Sequence, residues 1–118
     1  MTFLCYPKCT TCQKAQKWLD DNGIAYDLRN IKEQKPTREE LAAWHRMSGL
    51  SLRRFFNTSG LLYRSLELKD KLPAMTDDQM LDLLASDGML VKRPLMIGPD
   101  CVLVGFKPDE SLAQKLKQ

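Results

Sequence analysis

The chain has 118 residues, enough for one domain with its own core, and its 43% apolar and 28% charged content is that of an ordinary globular protein. A formal charge of +3, with Lys and Arg scattered among acids, argues against a dedicated nucleic-acid binder. No apolar run approaches the roughly 20 residues that cross a bilayer, and the N-terminus lacks a signal-peptide pattern, so a reducing cytoplasm is the expected setting. A close cysteine pair is more often catalytic or metal-binding there than a permanent staple.

Thr2 to Tyr6 reads as a buried strand that Pro7 ends. Cys9-Thr10-Thr11-Cys12 follows and opens a helical pattern to Asn22, with Ala15, Trp18 and Leu19 on one face and Asn22-Gly23 as the stop. Ile24 to Ile31 alternates well enough for a second strand, and the helix between suits a parallel crossover. Gln34-Lys35-Pro36 is a break. Thr37 with Glu40 three residues on is a capping box for a helix to about Ser48, which Gly49 stops. Ser51 to Phe56 is a short basic-aromatic turn, Asn57 to Gly60 a loop, and Leu61 to Leu68 another short helix. Thr76 caps a helix to about Ser86, ended by Asp87-Gly88. Leu95-Met96-Ile97 and Val102-Leu103-Val104, joined by Gly98-Pro99-Asp100, read as an antiparallel hairpin. Pro108-Asp109-Glu110 begins a final helix. The order is β-α-β, a helical block from about 36 to 86, then β-β-α. It reads as one compact unit, 1–118, with an inserted helical subdomain.

The cysteine pair carries the chemistry. At the helix N-terminus Cys9 meets unpaired N–H groups and the positive end of the helix dipole, which favour thiolate, the nucleophilic form. A helix terminus typically contributes about 0.3–1 kcal/mol, while one pKa unit is about 1.36 kcal/mol. A cation is therefore needed for a larger effect; Arg93 is the candidate, with Lys8 second. Cys12, one turn on, either resolves a disulfide formed on Cys9 or is a helix residue packed on the first strand. Cys5 and Cys101 read as core thiols. A zinc site is disfavoured because the second Cys/His pair is missing. His45 reads as half-exposed. Arg38, Arg46, Arg53 and Arg54 form either a solvated face or a partner-docking face on the helical block.

Four blocks, Tyr6 to Ala15, Phe55 to Gly60, Leu90 to Leu95 and Val104 to Pro108, together resemble the arsenate-reductase-like (ArsC) family, which also holds the Spx-type regulators. The resemblance implies an α/β thioredoxin-like fold with a mixed four-stranded sheet. It implies a cis proline at Arg93-Pro94 and makes Cys9, Cys12 and Arg93 the catalytic set. Arsenate reductases surround the oxyanion with three arginines. Here Arg93 is kept, Asn57 stands in the second place and Lys107 near the third. Asn57 carries no charge and Lys107 loses the bidentate fork, so arsenate turnover is expected to be weak unless Arg53 or Arg54, both at exposed positions on a short helix, swings in. Plain arsenate reductases borrow an external thiol, whereas Spx-like members keep the second cysteine, as this chain does. The implied substrate is a small oxyanion or a disulfide. No cofactor is bound, and the donor is glutathione with glutaredoxin, or thioredoxin. A redox partner protein, or the RNA polymerase alpha subunit for a regulator, completes the implied partners.

Overall fold

A computed structural model describes residues 1–106. The predicted final helix and Lys107 lie outside the described residues. Four strands, β1 (Thr2–Cys5), β2 (Asp27–Asn30), β3 (Leu95–Ile97) and β4 (Val102–Val104), form one sheet in the order β2-β1-β3-β4. β1 pairs parallel with β2 and antiparallel with β3, and β3 pairs antiparallel with β4. This is the mixed thioredoxin-like sheet, crossed from β1 to β2 by helix α1 (Thr10–Asp21). Between β2 and β3 run α2 (Arg38–Ser48), a 3-10 turn (Leu52–Phe55), α3 (Leu61–Ser65), α4 (Leu68–Lys71) and α5 (Asp77–Ser86).

The two-residue period of the strands sorts the core into two layers. Phe3, Cys5 and Met96 face α1, where Cys12, Ala15 and Leu19 are buried. Leu4 and Leu95 face the helical block, where Leu41, Trp44, Phe55, Phe56 and Leu84 close the second layer. Full burial of such side chains contributes roughly 1.5–3 kcal/mol each, so both layers are needed to hold the sheet.

The predicted capping box at α2 forms, and the predicted cap at α5 proves to be a second one. The Thr37 hydroxyl accepts from the Glu40 N–H at 3.1 Å while the Glu40 carboxylate accepts from the Thr37 N–H at 3.0 Å. Thr76 and Gln79 repeat the arrangement at α5. Gly49 ends α2 in the left-handed region, at φ 69°. The β3–β4 hairpin closes through the Gly98 N–H donating to the Cys101 carbonyl at 2.8 Å.

The structure corrects three expectations. β2 spans only Asp27–Asn30; Ile24 and Ile31 are buried but flank the strand. The pattern from Leu61 to Leu68 is not one helix, because Glu67 turns left-handed at φ 55° and separates α3 from α4. Cys101 is not a core thiol: it sits at the hairpin turn, half-buried, whereas Cys5 is buried as expected.

Candidate functional site

Cys9 is the N-cap residue of α1, with extended φ and ψ of −85° and 120°. The loop is folded onto itself by the Cys9 N–H, which donates to the Tyr6 carbonyl at 2.9 Å. No side chain caps the helix, so its first N–H groups point toward the Cys9 sulfur. Cys9 is half-buried and Cys12, facing the core, is 1% exposed. Both are free thiols.

Their environments push the two thiols apart. Burial works to raise the Cys9 pKa, but the Cys12 N–H and thiol, the Arg93 guanidinium and the Thr11 N–H outweigh it, and the net shift is downward. Burial pushes Cys12 up to about 12; the Tyr6 N–H, which donates to its sulfur at 3.4 Å, opposes this, and the charge on Cys9 reinforces it. Cys5 is also raised by burial. The arrangement thus separates a reachable sulfur biased toward thiolate from a shielded one biased toward thiol.

Arg93 precedes Pro94 through a cis peptide bond, the geometry that the family resemblance implied. Its Nη1 donates to the Met89 carbonyl at 3.3 Å, and its guanidinium carbon lies 5.5 Å from the Tyr6 ring centre. Its Nε is buried without a hydrogen-bond partner.

The helical block is clipped to the approach to β3. The Asn57 N–H donates to the Leu90 carbonyl at 2.8 Å and the Lys92 N–H to the Phe55 carbonyl at 2.7 Å, with Phe56 bridging Val91. This clip brings Asn57 and Arg93 onto the same cleft as Cys9. The cleft has a volume of about 540 Å³. Arg53, Arg54 and Lys92 also line it, and none of its lining residues among those described is an Asp or Glu. Asn57 is 7% exposed; its side-chain oxygen accepts from Ser59, and Gly60 packs directly over its amide.

Sequence reasoning gave Arg53 and Arg54 exposed positions from which either could swing toward the oxyanion, and it missed Lys92. The available signal was the adjacent Phe55-Phe56 pair, whose burial turns the preceding arginines outward. The basic face expected on the helical block is instead divided. Arg38 is engaged by Asp78 at 2.8 Å and by Asp82 at 2.6 Å, Arg53 and Arg54 border the cleft, and Arg46 is left exposed. His45 is half-buried, edge-on to Phe55. Among the described residues no group of three or more His, Cys, Asp or Glu side chains could hold a metal ion, and no helix is long and apolar enough to cross a membrane.

This geometry has known counterparts. YusI of Bacillus subtilis is 54% identical over 110 residues, spanning 93% of both chains. The global transcriptional regulator Spx of Enterococcus faecalis is 32% identical over 93% of this chain and 82% of its own. The structure of a possible arsenate reductase from Streptococcus mutans superposes with a TM-score of 0.87, at 44% identity over 96% of each chain. The family model described as the ArsC family matches residues 4–114. By fold, by cysteine loop and by sequence, the chain belongs to the ArsC family.

Proposed function

We propose that the protein is a thiol-disulfide oxidoreductase of the arsenate-reductase type, with Cys9 as nucleophile and Cys12 as resolving thiol. The observation that carries this is Cys9 at the start of α1, lining a cationic cleft with Arg93, while Cys12 is buried one turn behind it and the two thiols are perturbed in opposite directions. The Cys9 thiolate attacks one sulfur of an oxidised substrate and expels the other as thiolate. The mixed disulfide removes the charge on Cys9, and with it one of the influences that held Cys12 protonated. Cys12 then attacks the Cys9 sulfur, and its proton passes to the substrate thiolate that leaves. The products are a Cys9–Cys12 disulfide and the reduced substrate; two electrons have passed from the protein to the substrate. Arg93 steadies the thiolate and any oxyanion beside it. Glutathione with glutaredoxin, or thioredoxin, would then reduce the pair.

In single turnover with a small disulfide, Cys9→Ser should abolish thiol release, and Cys12→Ser should stop at a mixed disulfide visible as added mass. Turnover surviving both substitutions would eliminate the mechanism. An arsenate arm distinguishes the substrates: with Asn57 in the cleft where an arginine would carry charge, arsenate-dependent thiol consumption should be slow even at millimolar substrate.

A second reading is a redox-sensing regulator, favoured by the likeness to Spx and by the retained second cysteine. The thiol pair would then switch affinity for the RNA polymerase alpha subunit. Pull-down of that subunit by reduced and oxidised protein separates the readings: equal lack of binding in both states leaves the oxidoreductase.

A further inference from the structure

The Cys9 cleft is much larger than an oxyanion. A tetrahedral oxyanion has five heavy atoms; allowing each the share of liquid volume taken by one water, about 30 Å³, it fills roughly 150 Å³. The cleft offers about 540 Å³. It also has a neighbour. A second hollow of about 570 Å³ adjoins it, and the two share Ser59, Gly60 and Arg93 as a common wall.

The two hollows differ in chemistry. The first holds Arg53, Arg54, Lys92 and Arg93, with no carboxylate among its described lining residues. The second presents Leu61, Leu62 and Met89. Asp87 also borders it, but its carboxylate accepts from the Met89 N–H at 2.8 Å. A single exposed apolar residue means little. Leu61, however, is 80% exposed, more than Leu28 or Met47, and it stands at this hollow. The wall between the hollows contains the buried, unpartnered Nε of Arg93.

We propose that the two hollows are one recognition groove for an extended, acidic polypeptide segment that carries the oxidised cysteine. Its acidic residues lie over Arg53 and Arg54, its cysteine meets Cys9, and an apolar residue packs against Leu61, Leu62 and Met89. The charge of the first hollow selects an anionic occupant, and the apolar second hollow selects a side chain that a small anionic thiol lacks. A γ-glutamyl tripeptide would occupy only the first. The proposal rests on the reading of Cys9 as nucleophile and adds its substrate class.

The test is single-turnover reduction of short peptides whose cysteine is a mixed disulfide with thiopyridine. Cys9 attacks the peptide sulfur, the sulfur–sulfur bond breaks, and pyridinethione leaves with the electron pair and takes up a proton. Cys12 then closes the Cys9–Cys12 disulfide and releases the peptide thiol. The probes are Glu-Glu-Cys-Gly-Leu, Lys-Lys-Cys-Gly-Leu and Glu-Glu-Cys-Gly-Ser, each also in reverse order, with the faster order compared. Glutathione–thiopyridine is the small anionic probe and dithiodipyridine the small neutral one. Each rate is divided by the dithiodipyridine rate of the same variant.

The expected result is at least about tenfold faster reaction of the Glu-Leu peptide than of the Lys-Leu peptide, corresponding to about 1.4 kcal/mol. It should also exceed the Glu-Ser peptide and the glutathione probe by about threefold. Leu61→Glu should erase the advantage of Leu over Ser, and the double change Arg53→Gln, Arg54→Gln should erase that of Glu over Lys. Leu61, Arg53 and Arg54 are all exposed, so these variants should fold. Equal normalised rates for all four thiopyridine probes, with dithiodipyridine reacting at Cys9, would overturn the groove alone. No reaction of dithiodipyridine at Cys9 would overturn the reactive-thiol reading and the groove with it.

Discussion

Arg93 is the residue on which the site's electrostatics turn. Its guanidinium is one of the partners that hold Cys9 below the ordinary thiol range, together with the Cys12 N–H and thiol and the Thr11 N–H. A charge-assisted hydrogen bond contributes about 1.5–3 kcal/mol, and exposure of the cleft reduces this. Arg93→Ala should therefore slow Cys9 alkylation at pH 7 by about three- to tenfold, with recovery toward the parent rate at high pH. Arg93→Lys should restore part of the difference, because it keeps charge without the fork. The measurement is alkylation rate against pH with Cys12 replaced by serine in both proteins; superimposed profiles would remove Arg93 from thiolate stabilisation. Linkage gives the sign of a companion effect. The depressed Cys9 pKa stabilises the folded dithiol form as pH rises through the lowered value toward the ordinary thiol range, and this contribution is lost as pH falls through the lowered value. At this scale the sequence was informative where chemistry is local. Cys9 at a helix start and Arg93 before a proline were readable, the first from helix physics and the second from resemblance. Lys92 was not, because only the clip of residues 55–57 onto 90–92 brings it to the cleft.

Among the elements, α2 shows how a helix is tied to the sheet that presents the site. Arg29 on β2 grips the Glu40 carboxylate with two bonds of 2.7 and 2.9 Å, and the same carboxylate closes the capping box with Thr37. The Arg29 side chain holds the Glu40 pKa at about 2, below its ordinary 4.5, with burial opposing and the Thr37 N–H assisting. A depressed carboxylate contributes stability above its unfolded pKa and loses it as pH falls toward the folded value, here between about 4.5 and about 2. Glu40 is about a third exposed, so after solvent screening the contribution is about 1 kcal/mol. Urea midpoints at pH 6 and pH 3 should show Glu40→Gln destabilised at the higher pH by more than at the lower; a pH-independent difference would contradict the ion pair. Thr37→Ala should cost about 1 kcal/mol through the lost cap. The Thr37 capping box and the Thr76 cap were legible because such signals span no more than four residues. β2 was misjudged because it is an edge strand: Leu28 is 58% exposed, and the two isoleucines that suggested a longer strand anchor the loops beside it. The α3–α4 break hid behind an unbroken apolar pattern, since glutamate carries no turn signal of its own.

The molecule as a whole gathers four of its cations at one place. Its net charge is only +3, yet four cations line the Cys9 cleft without a carboxylate among the described lining residues. Elsewhere Lys17 is paired with Asp21, Arg29 with Glu40, and Arg38 with Asp78 and Asp82. The field at the cleft mouth should therefore be positive, and low-dielectric walls focus it there. An anionic disulfide approaches down that field and a neutral one does not. Raising salt from about 0.01 M to about 0.1 M shortens the screening length from about 30 Å to about 10 Å, less than the longer dimensions of the molecule, which spans 41 × 28 × 23 Å. The second-order rate of Cys9 with a dicarboxylate aromatic disulfide should fall by about threefold over that range, while the rate with neutral dithiodipyridine changes little. The double change Arg53→Gln, Arg54→Gln should flatten the anionic curve toward the neutral one, since these exposed arginines act at a distance rather than on the sulfur. Parallel salt curves for the two reagents would mean that the cleft cations are screened or neutralised before a substrate arrives. The basic lining would then shape local contacts without drawing anions in.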